Sequence, residues 1–264
     1  MTTSRAIDVR RAGERFTTRL DWLDSRHSFS FSRHYDPANT HFGLLLVNND
    51  DIVRAGTGFS THPHQDMEIV TWVLDGELEH KDSVGHRGVL YPGLAQRMSA
   101  GRGIWHSEMN PRPAPDGAGR GGGPASARSR GWGPGGDEGA VHFVQMWVLP
   151  DTERLDPSYE QLDINAELGK GGLVPIASGR GHDAAISIRQ EGAVLWGGRL
   201  QPGETVTVPD ARFAHLFVAR GAVSLDGAGR LDAGDAVRMT GAGDPSITAD
   251  PAEGAEVLIW ELAA

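Results

Sequence analysis

His62 and His64 stand two residues apart in "STHPHQDMEIVTWVLDGELEH", and His106 and Glu108 repeat that spacing in "GRGIWHSEMN". On an extended strand, side chains at i and i+2 leave the same face. Each pair therefore projects two donor groups together. If the two strands face one another, three imidazoles and one carboxylate converge, a set suited to one divalent ion of Fe(II), Mn, Co, Ni, Cu or Zn. The chain has no cysteine, so any such metal is held by nitrogen and oxygen alone. Open positions on it would admit a substrate or dioxygen. One His-x-His is a weak signal, because short motifs recur by chance. The second pair at equal spacing, with Gly56 before the first and Asn110 after the second, gives the reading its weight.

Glu68 is harder to place. It follows His62 by six residues, and unbroken alternation keeps it on the same face. Three roles are open to it: metal ligand, carboxylate orienting an imidazole, or general base. Glu108 and Glu68 are thus the candidate catalytic carboxylates. His80 and His86 fall in polar, turn-rich sequence and read as surface residues, while His27, His34 and His41 read as structural. Nine of the 11 histidines precede residue 143, which assigns any histidine chemistry to the first half.

The elements that must position these groups are strands. Short runs rich in Val, Ile, Leu and Trp, such as "HFGLLLVNND", "VHFVQMWVLP", "AHLFVARGAVSLDG" and "AEVLIWELA", are separated by Gly, Asp, Asn and Pro. That rhythm predicts an all-β protein of antiparallel sandwiches or barrels. The best helical candidate is "SYEQLDINAELG". An internal echo, "GLAQRMSAG" against "AGDAVRMTGAG", lies within two similar strand and turn series and predicts two related barrels, only the first with paired histidines. We expect domains at 1–150 and 151–264. Between about 111 and 139 runs "PRPAPDGAGRGGGPASARSRGWGPGGDEG", too poor in apolar residues to bury a core and read as a flexible insertion.

At 264 residues with 39% hydrophobic content, the chain is long enough for one large or two smaller β-domains. Its net charge of -10 is uneven: residues 1–150 carry 17 acidic and 16 basic side chains, residues 151–264 carry 18 and 9. Neither half offers the basic patch that direct nucleic-acid binding needs, although a basic protein partner is compatible with the acidic half. No stretch approaches the ~20 apolar residues of a membrane span, and the first residues develop no apolar signal-peptide core. A cytoplasmic location is the expectation.

The stretch from "WLDSRHSFSFSRHYDPANTHFGLLLVNNDD" through "STHPHQDMEIVTWVLDGELEHKDS" to "MSAGRGIWHSEMNP" resembles the pirin family of cupins, and the similarity resumes at "VHFVQMWVLPDTERLDPSYEQ". The resemblance implies a double cupin, two facing jelly-roll β-barrels with one metal, usually iron, in the N-terminal one. It places His62, His64, His106 and Glu108 on the family's ligand positions. Glu68 falls where many other cupins carry a carboxylate ligand, which implies a place beside the metal and not on it. Two departures stand out: Gly101 where the general cupin motif has proline, and the Gly/Pro-rich insertion.

The activity implied by the resemblance is cleavage of a flavonol such as quercetin by O2 with release of CO. Glu108 or Glu68 would assist loss of the 3-hydroxyl proton, and Phe59, Met98, Ile104 and Trp105 are candidates for the wall that holds the planar substrate. The resemblance also implies an alternative: an iron-dependent redox sensor that binds a protein partner, either a transcription cofactor or a modulator of a metabolic enzyme. A sugar-phosphate isomerase reading finds no phosphate-binding motif to support it.

Overall fold

The computed structural model describes residues 5–113 and 139–263, so most of the expected insertion at 111–139 lies outside the described residues. Within them, the regular secondary structure is almost wholly strand, with one short α-helix at Asn165–Leu168 and one 3-10 turn at Ala12–Glu14. Seven antiparallel strands lie side by side in the order Ser158–Asp163, Leu94–Ser99, Glu68–Asp75, Val141–Val148, Leu45–Val53, Leu23–His27 and Phe16–Arg19. A smaller sheet orders Gly58–His64, Ile104–Met109, Leu78–Asp82 and Arg87–Leu90. Leu78 and Leu90 of the smaller sheet pack against Val53, Val73 and Phe143 of the larger, closing the first barrel.

The second barrel is built around Phe213–Leu225. Its first part pairs with Ala236–Thr240 and Ala255–Leu262, and its last part with Gly229–Asp232 and Ser246–Ala249. A register shift between Val218 and Arg220 marks the change, as a bulge bends a strand from one layer to the next. The interior here is apolar throughout: Leu216, Val218, Val223, Leu231, Ile247 and Ile259 belong to one cluster. The expectation of an all-β, two-barrel chain is met.

Alternation explains how the barrels join. On Glu68–Asp75, Val70, Trp72 and Leu74 face the second half, while Ile69 and Val73 face the first barrel's own interior. Val141–Val148 divides likewise, with Val144, Met146 and Val148 outward to the junction. Strands covered on both faces read as continuous apolar runs, as these do. Across the junction Trp72 Nε1 donates to Glu256 at 2.7 Å and Trp260 Nε1 to Met146 Sδ at 3.2 Å.

The halves also exchange strands. Ala6–Arg10 pairs with Ala236–Thr240 in the second barrel, and Ser158–Asp163 pairs with Leu94–Ser99 in the first. A division at residue 150 therefore does not follow strand pairing. The helical expectation for "SYEQLDINAELG" holds only for its single turn Asn165–Leu168. Ser158–Asp163 is recruited as an edge strand, because a sheet edge satisfies its backbone where one isolated helical turn does not.

Candidate metal centre

Gly58–His64 and Ile104–Met109 run antiparallel with His106 opposite His62 and Ile104 opposite His64; the register then shifts between His106 and Glu108. Both histidine-bearing strands thus present their donors to the barrel interior. His62 Nε2 and His106 Nε2 lie 3.1 Å apart. The ring of His64 is 4.9 Å from each of the other two. His62 Nδ1–H donates to the Ser60 carbonyl at 2.8 Å, which leaves the lone pair on Nε2, toward the cluster.

These residues fit a cation. His64 Nε2 and His106 Nδ1 are buried without a hydrogen-bond partner, a costly state for a polar atom unless something else satisfies it. Burial first, then the neighbouring imidazoles, lowers the His106 pKa to about 3 and that of His64 to about 4. Both rings are therefore neutral at pH 7, the form a metal requires.

Glu108 is held from behind. Gln145 Nε2 donates to both carboxylate oxygens, at 2.9 and 2.7 Å, and Thr71 Oγ1 lies 3.4 Å from Oε1. Trp147 Nε1–H donates to Gln145 Oε1 at 3.1 Å, so the amide is oriented with its NH2 toward Glu108. The Trp147 ring meets His64 edge-on at 4.9 Å and Phe31 at 5.6 Å. Sequence reading missed Gln145 and Trp147. Their signal was available: in "VHFVQMWV" a glutamine occupies an inward phase that is otherwise apolar.

The four expected ligands are not gathered as one set. The donor atoms of His62, His64 and His106 lie within 4.8 Å of one another, while Glu108 groups with His106 and His80. His80 is not the surface residue its polar surroundings suggested: it is 1% exposed. Leu78–Asp82 alternates, and Leu78 and His80 face inward while Lys81 faces out. His80 stands opposite Glu108 across the strand pair. His86, 37% exposed at its side chain, is nearer the surface and donates from Nδ1 to Asp82 at 2.8 Å. His27 is structural, bonded to Thr18 and Asn49.

Glu68 lies in neither group. The strand carrying His62 ends at His64, and Asp66 at φ 46° turns the chain into the other sheet, so the alternation from His62 is interrupted. The Glu68 carboxylate accepts from Ser99 Oγ at 2.8 Å and Arg189 N at 3.1 Å, tying the two halves together; burial raises its pKa. Of the expected substrate wall, Met98 and Ile104 are buried in an apolar cluster, Trp105 points out at 53% exposure, and Phe59 lies 6.4 Å from His62. Gly101 has φ 48°, which proline cannot adopt, and a Cβ there would lie 2.1 Å from the Leu155 carbonyl.

Residues 8–148 match the family model described as Pirin, and residues 175–262 the one described as Quercetinase C-terminal cupin domain. A Mycobacterium tuberculosis protein provisionally named as a quercetin 2,3-dioxygenase is 53% identical over 97% of this chain and 95% of its own length. The Escherichia coli protein named quercetin 2,3-dioxygenase is 34% identical over 97% of this chain and 98% of its own. The crystal structure of the bacterial pirin YhhW from Escherichia coli in complex with nickel(II) superposes with TM-score 0.79 at 33% identity, covering 98% of this chain and 99% of that one.

Proposed function

The chain belongs to the pirin family and has its double-cupin fold, and from that premise we propose that it is a metal-dependent dioxygenase cleaving a flavonol such as quercetin with O2 and release of CO. The observation that carries this reading is the cluster of imidazoles His62, His64 and His106 beside a carboxylate fixed by Gln145. A divalent metal, Fe(II) in our reading with Mn, Co, Ni, Cu or Zn as alternatives, would be held by His62, His64, His106 and Glu108 and would supply Lewis acidity and electron transfer between substrate and O2. Glu108 is the group we assign to take the 3-hydroxyl proton, since it alone of the two candidate carboxylates lies beside the imidazoles. Gln145 holds that acceptor in place. Trp147 and Phe31, whose rings meet edge to face, offer an apolar surface for an aromatic substrate. Relatives that carry the quercetin dioxygenase name add support.

The test is aerobic loss of quercetin absorbance, with CO detected, in protein loaded separately with each of these metals. We expect turnover with at least one metal and its loss in His62→Ala. No turnover with any metal would sink the enzyme reading and favour the iron-dependent redox sensor. Capture of a protein partner that depends on ferric against ferrous iron would then test that alternative.

A further inference from the structure

Phe31, whose ring meets Trp147 beside His64, is carried by the segment between Leu23–His27 and Leu45–Val53. We propose that the second barrel shapes the substrate pocket of the first: Arg238, on Ala236–Thr240, is a positioning residue that clamps the two legs of this segment and sets where Phe31 stands, and so selects the planar aromatic substrates that fit. The hold of Arg238 on the segment stands by itself, whereas the contact of Phe31 with substrate rests on the function proposed above.

The tip of the segment is a tight hairpin. Phe31 and His34 exchange both backbone hydrogen bonds at 2.9 Å, around Ser32 at φ 53°. A serine takes that left-handed backbone at a cost, and keeps it only where the surroundings fix it. The first barrel supplies one support: His34 Nε2–H donates to the Thr17 carbonyl at 3.2 Å, and Phe16 stacks on the His34 ring at 5.1 Å.

The base of the hairpin is held by the second barrel. Arg238 Nη2 donates to the Ser28 carbonyl at 2.9 Å and to Asn39 Oδ1 at 2.6 Å, one residue on each leg. Asn39 closes the same rung, donating from Nδ2 to the Ser28 carbonyl at 3.2 Å, while its own carbonyl accepts from Ser30 N at 2.7 Å. The guanidinium lies 4.6 Å from the centre of the Phe29 ring, which is buried in the junction between the barrels. Farther along the segment, Phe42 meets Phe213 at 5.3 Å. Arg238 is 6% exposed, and among the described residues no carboxylate pairs with it. Burial, with Arg10 nearby, lowers its pKa to about 10, so it is charged at pH 7. A buried cation needs compensation, and here the two oxygens of the segment and the face of Phe29 supply it. The charge of Arg238 is therefore committed to this segment.

The test follows amide hydrogen exchange by NMR, Ni(II) affinity, and binding of quercetin to the Ni(II)-loaded protein without O2, in wild type, Arg238→Leu and Arg238→Lys. In Arg238→Leu we expect the amides of Ser30, Phe31 and His34 to exchange at least about tenfold faster and quercetin to bind about tenfold more weakly, while Ni(II) affinity and exchange across Glu68–Asp75 stay as in wild type. Arg238→Lys, whose ammonium can donate to the same oxygens, should recover most of both. Should Arg238→Leu fail to fold, Asn39→Ala removes the partner on the other side of the clamp and is read in the same way. Unchanged exchange at the three amides, or exchange that rises equally across Glu68–Asp75, overturns the hold. Faster exchange with unchanged quercetin affinity overturns the part in selecting substrate. A wild type that binds no quercetin sinks the function proposed above and the substrate half of this proposal with it, and exchange alone then decides the hold of Arg238.

Discussion

At the scale of single residues, the centre depends on what stands behind each donor. Removing the amide in Gln145→Leu leaves the buried Glu108 carboxylate without its main hydrogen bonds. We expect metal affinity to fall by about 10–100-fold, measured by competition with a chelator. Trp147→Phe, which removes the indole N–H that anchors the amide and keeps an aromatic ring beside His64, should fall in the same direction but less. His215 is a different case, 1% exposed with both ring nitrogens unpartnered. Burial, with Arg238 and Arg15 nearby, lowers its pKa to about 3. Below about pH 6.5 the unfolded chain binds a proton there that the native state refuses, so this group's contribution falls as pH drops from ~6.5 toward 3, by ~1.4 kcal/mol per pH unit. Asp51, pushed up to about 7 by burial, works in the opposite sense. Comparison with His215→Leu cancels that term. Urea unfolding at pH 7 and pH 5 should show the variant losing about 2 kcal/mol less than wild type.

At the scale of the element, spacing was informative only as far as each strand ran. His62 with His64, and His106 with Glu108, were legible because each pair sits inside one strand, although a register shift follows His106. Glu68 was not, since the turn at Asp66 separates it from His62 and no composition signal marks where alternation stops. His80 was hidden for the opposite reason: its neighbours are polar, and only the pairing with Glu108 reveals which phase faces inward. Turn geometry matters as much as the strands. Gly101 accepts Asp66 N–H at its carbonyl, 2.8 Å away, and opens the turn that delivers His106. Gly101→Ala would force a side chain into left-handed backbone and against Leu155. We expect a loss of at least about 1–3 kcal/mol in chemical denaturation.

At the scale of the whole molecule, the two-barrel design was legible in the repeated strand and turn series, because each copy buries its own interior. The exchange of strands was not, since pairing partners far apart in sequence leave no local trace. A fragment of residues 1–150 lacks Ser158–Asp163 and uncovers Val70, Trp72, Leu74 and Met146. An open sheet edge beside an apolar face invites association. We expect this fragment to run as aggregate on size exclusion, whereas the full chain does not.

The exchange also sets an order in time. Ala6–Arg10 is made long before its partner Ala236–Thr240, with most of the described strands between them. Domains commonly fold one after another as they leave the ribosome, the first before the last. Here Ala6–Arg10 waits until every strand before Ala236–Thr240 has been made, and the histidine-bearing barrel waits for Ser158–Asp163. Maturation of the metal-binding half is thereby tied to a strand that follows it in the chain, Ser158–Asp163.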